Sequence, residues 1–448
     1  HSYNKGGRIL NMLRDYIGDD AFFDGLKLYL NKHAFKTAEA HDLRIAFEEV
    51  SGLDLNWFFN QWFFAKGHPI IEIKQQFKKD DQLLQVTIHQ KQDTEKWPLY
   101  SLPIYIDVYT NSGVKTQQYW ISKKWDTINI NLAQTPLLVN VDAHKSLLCK
   151  KKDRKDVTQW VYQLQYAPLW LDKKEAFDQL GKSKDPAAID AILKNMQHSF
   201  WNIKYMAISK LENATTTNPE KVKNLLFSLA IKDAHPKVRA AAIKALAKYY
   251  PYNDDINELF KTALKDSSFK VISEVLKAVV AKNSERGLDL AKRFEKEENA
   301  TINQTVAAVY ADYGDENQHR FFLNTVNELT GFNKYGFLQH YLSYVIRQNN
   351  KIIDEALVVF EQVARNGSPW YLKLSGYQIL SAIQTKHENK SNELQLEIEE
   401  LKANGKLVEV TAVENKLNSE INRATAIKAL LKELREEETD ENVLKYIR

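Results

Sequence analysis

The chain has 448 residues, 44% hydrophobic and 27% charged, which is enough apolar material to bury several cores and suggests about two to four domains. Its 62 basic and 58 acidic residues are interleaved and leave a net charge of only +4, so nucleic acid, which requires clustered positive charge, is not expected as a partner. No run approaches the ~18 consecutive apolar residues of a membrane span, and the single cysteine, Cys149, excludes an internal disulfide and any cysteine-based metal site.

Residues 1–68 read as helical. The opening His1-Ser2-Tyr3-Asn4-Lys5-Gly6-Gly7 leads at once into an amphipathic pattern with Ile9, Leu10, Leu13, Tyr16 and Ile17 on one face. A pattern that starts in mid-stride raises the expectation that the chain is a piece of a larger protein. Phe22, Phe23, Leu26, Tyr29, Leu30 and His33 form a second stripe after Gly18, and Leu43, Ala46, Phe47 and Val50 a third before Gly52. These helices are too few for a domain of their own. The aromatic run Trp57, Phe58, Phe59, Trp62, Phe63 and Phe64 has helical spacing and no interleaved arginine, so it reads as core and not as a base-stacking surface.

From 69 to 150 the period changes to two. Ile71 and Ile73, then Leu84, Val86 and Ile88, then Leu102 to Val108, Ile128 to Leu132, and Leu137 to Val141 alternate with polar residues, which predicts a small β-sandwich. Asp80-Asp81, Asn111-Ser112-Gly113 and Lys123-Lys124 supply hairpin connections. The charged stretch Lys150 to Lys155 reads as a solvated linker. Residues 151–448 are then helical and repetitive: Ile203, Ala207, Ile208 and Leu211 recur as Val238, Ala242, Ile243 and Leu246, as Val271, Val275, Leu276 and Val279, and more loosely as Ile302, Val306, Ala307 and Tyr310, at shifts of about 31 to 35 residues. The segment Asp233-Ala-His-Pro-Lys-Val-Arg239 resembles the entry to a second HEAT helix, so a HEAT-like α-solenoid is expected, with Arg239 in a structural polar contact. Asn389 to Leu444 predicts a charged helical hairpin broken near Asn404-Gly405.

The Tyr3-Asn4-Lys5-Gly6 entry, with Leu13-Arg14 and Gly18, resembles the segment of aminopeptidase N family zinc aminopeptidases (gluzincins) that carries a catalytic tyrosine. The segments Thr37 to Gly52 and Asp54 to Trp62 look like the last helices of that family's thermolysin-like catalytic domain, and Gly67-His68-Pro69 matches the exit from them. The resemblance implies a mainly α, multidomain protein: 1–68 the end of the catalytic domain, 69–150 a β-sandwich spacer, and 151–448 a superhelical HEAT-like domain. It implies peptide substrates and, in the full-length parent, a zinc ion whose bound water attacks the peptide carbonyl. It also implies that residues 1–68 pack against the missing part of the catalytic domain.

The motifs for that metal are absent from this chain. Zinc needs two histidines at i and i+4 on a helix plus a third ligand, and neither His-Glu-x-x-His nor Gly-x-Met-Glu-Asn occurs; His387-Glu388 is followed by Asn389, Lys390 and Ser391. His33, His41 and His68 do not share a helical face. The polypeptide by itself is therefore expected to be metal-free and inactive. Tyr3 is the one catalytic residue that the resemblance assigns: its hydroxyl would donate to the tetrahedral oxyanion as charge develops, while Lys5 and Gly6 shape the turn. The alternative is a non-catalytic interaction scaffold that kept the peptidase architecture.

Overall fold

The computed structural model describes residues 2–251 and 253–447, which fall into two compact units, 1–222 and 223–448. The first unit opens with α1 (Ser2–Ile17), α2 (Asp19–Lys32), α3 (Ala40–Ser51) and α4 (Asn56–Phe59), the last continuing into a π-helical turn over Asn60–Phe64. Local chemistry sets the boundaries of α3: Glu39 N donates to Asp42 Oδ2 at 2.8 Å, satisfying an otherwise orphan amide, and Gly52 ends the helix at φ 70°. Phe58, Phe59 and Trp62 are buried, but Phe64 lies at the surface, so the aromatic run is only partly core. The helices have no separate core; Ile9, Leu13, Phe47 and Phe59 share one with Ile73, Val86, Ile106 and Val139 of the strands that follow.

Those strands are β1 (Ile70–Lys78), β2 (Leu83–Gln90), β3 (Leu102–Thr110), β4 (Gly113–Ile121), β5 (Trp125–Asn131), β6 (Leu138–Val141) and β7 (Lys150–Asp153). They form a four-stranded sheet in the order β5-β2-β1-β7 and a three-stranded sheet in the order β4-β3-β6. The inward residues of both sheets meet in the shared core, as a sandwich requires. Two of the three turn signals fall at hairpin connections, Asp80-Asp81 between β1 and β2 and Asn111-Ser112-Gly113 between β3 and β4, with Gly113 at φ 123°, whereas Lys123-Lys124 joins β4 to β5 of the other sheet. At the entry to the sandwich, Gly67 has φ 90°, and a Cβ there would lie 2.8 Å from the Trp97 ring, so both backbone and packing demand glycine.

Two strands lie outside the period-two reading. β4, a sheet edge, is exposed along almost its whole length, so no face selects apolar residues. β7 is the charged run itself, and the solvated linker expected at Lys150 to Lys155 is corrected to a strand pairing parallel with β1, Ile71 opposite Lys151. Lys150 and Lys152 are exposed, but Lys151 and the following Lys155 turn inward. Lys155 is buried, 2.8 Å from Asp153 and 2.7 Å from Gln163 Oε1, with its ammonium over the Trp160 ring. Lys151 is also largely buried, 2.6 Å from Glu175. Burial acts to lower the Lys151 pKa, but Asp142, Glu175 and Asp153 outweigh it and hold the ammonium charged.

Helices follow: α5 (Val157–Tyr166), α6 (Trp170–Leu180), α7 (Pro186–Asn195), α8 (Trp201–Ile208) and α9 (Glu212–Thr217), then α10 (Pro219–Lys232). A buried ionic cluster ties α6 to the sandwich. Lys145 Nζ lies 3.0 Å from Asp172 Oδ1, 2.8 Å from Glu175 Oε2 and 2.9 Å from Asn140 Oδ1. Asp172 also accepts from Asn140 Nδ2 at 2.9 Å and from Leu169 N at 3.1 Å.

The second unit contains α11 (Pro236–Tyr249), α12 (Asp254–Ala263), α13 (Phe269–Lys282), α14 (Ser284–Lys292), α15 (Ala300–Tyr313), α16 (His319–Glu328), α17 (Gly331–Val345), α18 (Asn350–Asn366), α19 (Trp370–Ala403), α20 (Leu407–Glu437) and α21 (Glu441–Ile447). Alternate helices stack, α11 on α13, α13 on α15, α15 on α17, α17 on α19, which is the packing of a HEAT-like solenoid. The repeat register is correct: Val238, Val271 and Ile302 are fully buried, as are Ile243, Leu276 and Ala307. Val279 departs from it. It is half-buried, packed at the edge of the core, while Val280 turns inward. Arg239 has the expected structural contact, a bidentate pair at 2.7 and 2.7 Å with Asp266 of the next repeat, and its third nitrogen donates to Asp233 O at 2.9 Å. The charged hairpin is α19 and α20, begins earlier than expected at Trp370, and turns through Gly405 at φ 71°.

Leu246 is fully buried whereas Lys244 of the same helix faces solvent. Leu246→Ala should therefore destabilise the second unit by about 2–5 kcal/mol, through lost transfer energy and a residual cavity, and Lys244→Glu should cost little. Urea unfolding of the two variants checks this; equal effects would refute the helical register.

Candidate functional site

Tyr3 lies in the first turn of α1 and is 95% exposed. The helix under it is firmly held. Its inward face buries Ile9, Met12 and Leu13, and its polar side is tied to the sandwich. The Arg8 guanidinium donates to the carbonyls of Lys145 and Leu147, Lys5 Nζ reaches Gly67 O at 3.5 Å, and Leu148 N lies 3.2 Å from Met12 Sδ. Asp15 meets His144 Nδ1 at 2.7 Å, and that imidazole stacks on Tyr105 with ring centroids 3.8 Å apart. Arg8 thus connects Tyr3's helix to the backbone of Lys145, whose side chain belongs to the buried ionic cluster. A projecting phenol on a fixed helix can present a hydrogen-bond donor at a defined place.

The turn expected at Lys5-Gly6 is instead helix, since α1 already runs from Ser2. Neither Gly6 nor Gly7 has a positive φ, and a Cβ on either would meet nothing within 4 Å among the described residues. Two glycines in a helix cost about 1 kcal/mol each relative to alanine, and among the described residues no close approach to either offsets it. They leave the surface beside Tyr3 bare of side chains.

The histidines are not brought together. His33 packs against Tyr29 and His41 against Phe64, with ring centroids 5.3 and 4.8 Å apart. His387 is buried in α19 with Nδ1 2.5 Å from Glu420 Oε2. Among the described residues no three His, Cys, Asp or Glu side chains converge as a metal site would require. The donor set present does not fit a zinc ion. Elsewhere in the first 68 residues the apolar side chains of Phe23, Leu30, Phe35 and Phe64 are exposed.

Residues 1–62 match the model of the peptidase family M1 domain. The N-terminal region is thus similar to M1 peptidases. Residues 157–247 and 193–279 match the model of HEAT repeats. The chain is similar to aminopeptidase N of Escherichia coli, 30% identical over 116 residues, covering 25% of this chain and 13% of that protein. The tricorn protease-interacting factor F2 of Thermoplasma volcanium is 33% identical over 103 residues, covering 22% of this chain and 13% of that protein. The match thus spans only about an eighth of the length of either curated relative. The fold is shared more widely. A crystal structure of Legionella pneumophila aminopeptidase A in complex with aspartic acid superposes with a TM-score of 0.59 at 12% identity, over 99% of this chain and 55% of that one. The chain therefore has a peptidase-family origin, an aminopeptidase-like fold and a helical region built of HEAT repeats. No helix among the described residues is long and apolar enough to cross a membrane.

Proposed function

We propose that this chain is the C-terminal portion of a zinc-dependent aminopeptidase that releases N-terminal residues from peptides, with Tyr3 as the oxyanion donor. In this reading 1–68 complete the catalytic domain, 69–150 are the spacer sandwich and 151–448 the superhelical domain. The observation that carries it is the M1 match at 1–62 together with an exposed Tyr3 on a helix anchored by Arg8. The uncovered Phe23, Leu30 and Phe35 belong against the remainder of the catalytic domain, where the zinc is held. Bare backbone at Gly6 and Gly7 leaves room for substrate or a neighbouring segment next to the phenol.

The polypeptide alone should bind no stoichiometric zinc and hydrolyse no aminoacyl reporter, because it lacks a ligand pair at helical spacing. Metal analysis and a fluorogenic assay check this: one tightly held zinc per chain with chelator-sensitive turnover would overturn it. A scaffold that kept the architecture is the second reading, and the tricorn-interacting name of one relative favours it as far as partner binding goes. The upstream sequence of the parent gene separates them. Intact His-Glu-x-x-His and Gly-x-Met-Glu-Asn motifs mark the enzyme, and their loss marks the scaffold.

A further inference from the structure

Residues 142–149 carry the chain from β6 in one sheet to β7 in the other, and α1 lies against them. The turn holds an unfavourable backbone. Asp142 and Lys145 have φ of 57° and 52°, in the left-handed region, and Lys145 lacks the short polar side chain that eases this conformation for Asp142. Such a residue persists there only where its surroundings over-determine it. Lys145 N donates to Asp142 O at 2.9 Å and Ala143 N to Tyr105 O at 2.9 Å. The Lys145 ammonium finds an acceptor for each of its three N–H groups, Asn140 Oδ1 in β6 and Asp172 and Glu175 three residues apart on α6.

The same turn meets α1 with its backbone, since the carbonyls of Lys145 and Leu147 accept from Arg8. Among the described side chains of α1, none ahead of Ile9 is buried, and Gly6 and Gly7 have none to bury. Lys5 Nζ is 3.5 Å from Gly67 O, at the limit of a hydrogen bond, so Arg8 is the main anchor of the first turns. The rest of the helix is fixed separately, by Ile9, Met12 and Leu13 in the core and by Asp15 on His144. Once Lys145 lets go of α6, its backbone is free to leave the left-handed region, which redirects the peptide plane that carries its carbonyl and takes the acceptor away from Arg8. The helix then pivots about its buried second half. Tyr3, about 7.5 Å of helical rise beyond Arg8 toward the N-terminus, moves most.

We infer that Lys145 is a positioning residue for Tyr3: its ion pairs with α6 hold the 142–149 turn in the conformation whose carbonyls fix Arg8, so that α6 sets where the phenol hydroxyl stands. The inference rests on the reading of Tyr3 as the oxyanion donor, and adds to it the contact on which that donor's placement depends. An oxyanion donor is sensitive to such a movement because a hydrogen bond weakens steeply with distance and angle, and a misplacement of about 1 Å lowers a rate by roughly 10²-fold. Lys145 is buried beneath the turn and acts only through Arg8.

The variants are Lys145→Met and the milder Glu175→Gln, which keeps the side chain's volume and removes one of the charges on Lys145. Leu211→Ala, a buried position at the entry to α9, is the control for general destabilisation. In the 448-residue chain, amide exchange over residues 4–13 should quicken at least tenfold in both variants and less than twofold in the control. In the full-length parent, Lys145→Met should lower kcat at least tenfold with KM changed less than twofold, and Glu175→Gln should lower it in the same direction. Added to Tyr3→Phe, Lys145→Met should lower kcat less than twofold further, because the group being positioned is gone; a merely structural role lowers it equally in both backgrounds. Unchanged exchange over 4–13 in both variants overturns the coupling whatever Tyr3 does. Equal loss of kcat in both backgrounds, or a loss as large in Leu211→Ala, overturns it as general destabilisation. Near-wild-type kcat in Tyr3→Phe alone removes the underlying reading and this inference with it.

Discussion

Replacing Tyr3 by phenylalanine in the full-length parent should lower kcat by roughly 10²–10³, with KM and metal content little changed. The substitution keeps the ring and removes one donor. Because the side chain is 95% exposed in this chain, the same substitution should leave the stability of the 448-residue polypeptide unchanged. Charge on the carbonyl oxygen of a peptide grows during attack, so a phenol that donates to it binds the transition state better than the ground state, and its loss appears in kcat. A purely structural tyrosine gives the reverse pattern, near-normal turnover and a lower melting temperature. Steady-state kinetics on correctly metallated enzyme distinguishes the two, and near-wild-type kcat would remove the catalytic assignment.

Lys145→Met should destabilise the first unit by about 3–5 kcal/mol, the cost of leaving a buried charge without its partner. Lys145 and Asp172 have side chains only 3% and 0% exposed, and methionine fills a similar volume while abandoning Asp172. The exposed pair Lys32–Glu49, at 47% and 53%, provides the contrast: Lys32→Met should cost no more than about 1 kcal/mol. Hydrogen exchange over residues 138–180 localises the loss, and equal effects of the two substitutions would contradict the importance of burial. The same cluster has an acid limb. Burial acts to raise the Glu175 pKa, but Lys151 and Lys145 outweigh it and hold it at about 2. Since the unfolded value is about 4.3, the folded state gains stability from Glu175 above that pH and loses it as pH falls toward 2. The stability difference between wild type and Glu175→Gln should therefore shrink across that window.

Much of the chain was legible from spacing alone. Helical and period-two patterns identified the opening helices, five of the seven strands, the solenoid register at Val238, Ile243 and Leu246 and the long hairpin, because each of those elements buries one face and that face selects apolar residues at a fixed interval. The proposal for Tyr3 rests on its motif alone, since an exposed side chain imposes no periodicity. The elements that escaped share a physical reason. β4 buries neither face, so its sequence is unconstrained by a core. The charged run turns Lys151 and Lys155 inward, and sequence hydropathy assigns lysine to water unless the carboxylates that accept it are known. Those acceptors, Asp142, Asp172 and Glu175, come from a sandwich loop and from α6, and only the tertiary structure brings them to Lys145 and Lys151.

By itself, then, the sequence determined the order of helices, sandwich and solenoid, the core-facing register of the repeats and the kinship of the N-terminal segment to M1 peptidases, because these depend on local periodicity and on a contiguous motif. Tertiary structure alone decided that the charged run forms a strand and turns Lys151 and Lys155 inward, that α1 is anchored through Arg8 to the turn carrying Lys145, and that Lys145 reaches the carboxylates of α6. Each of these is a meeting of residues from different elements, and charge pairing over such separations leaves no period in a sequence for a reader to find.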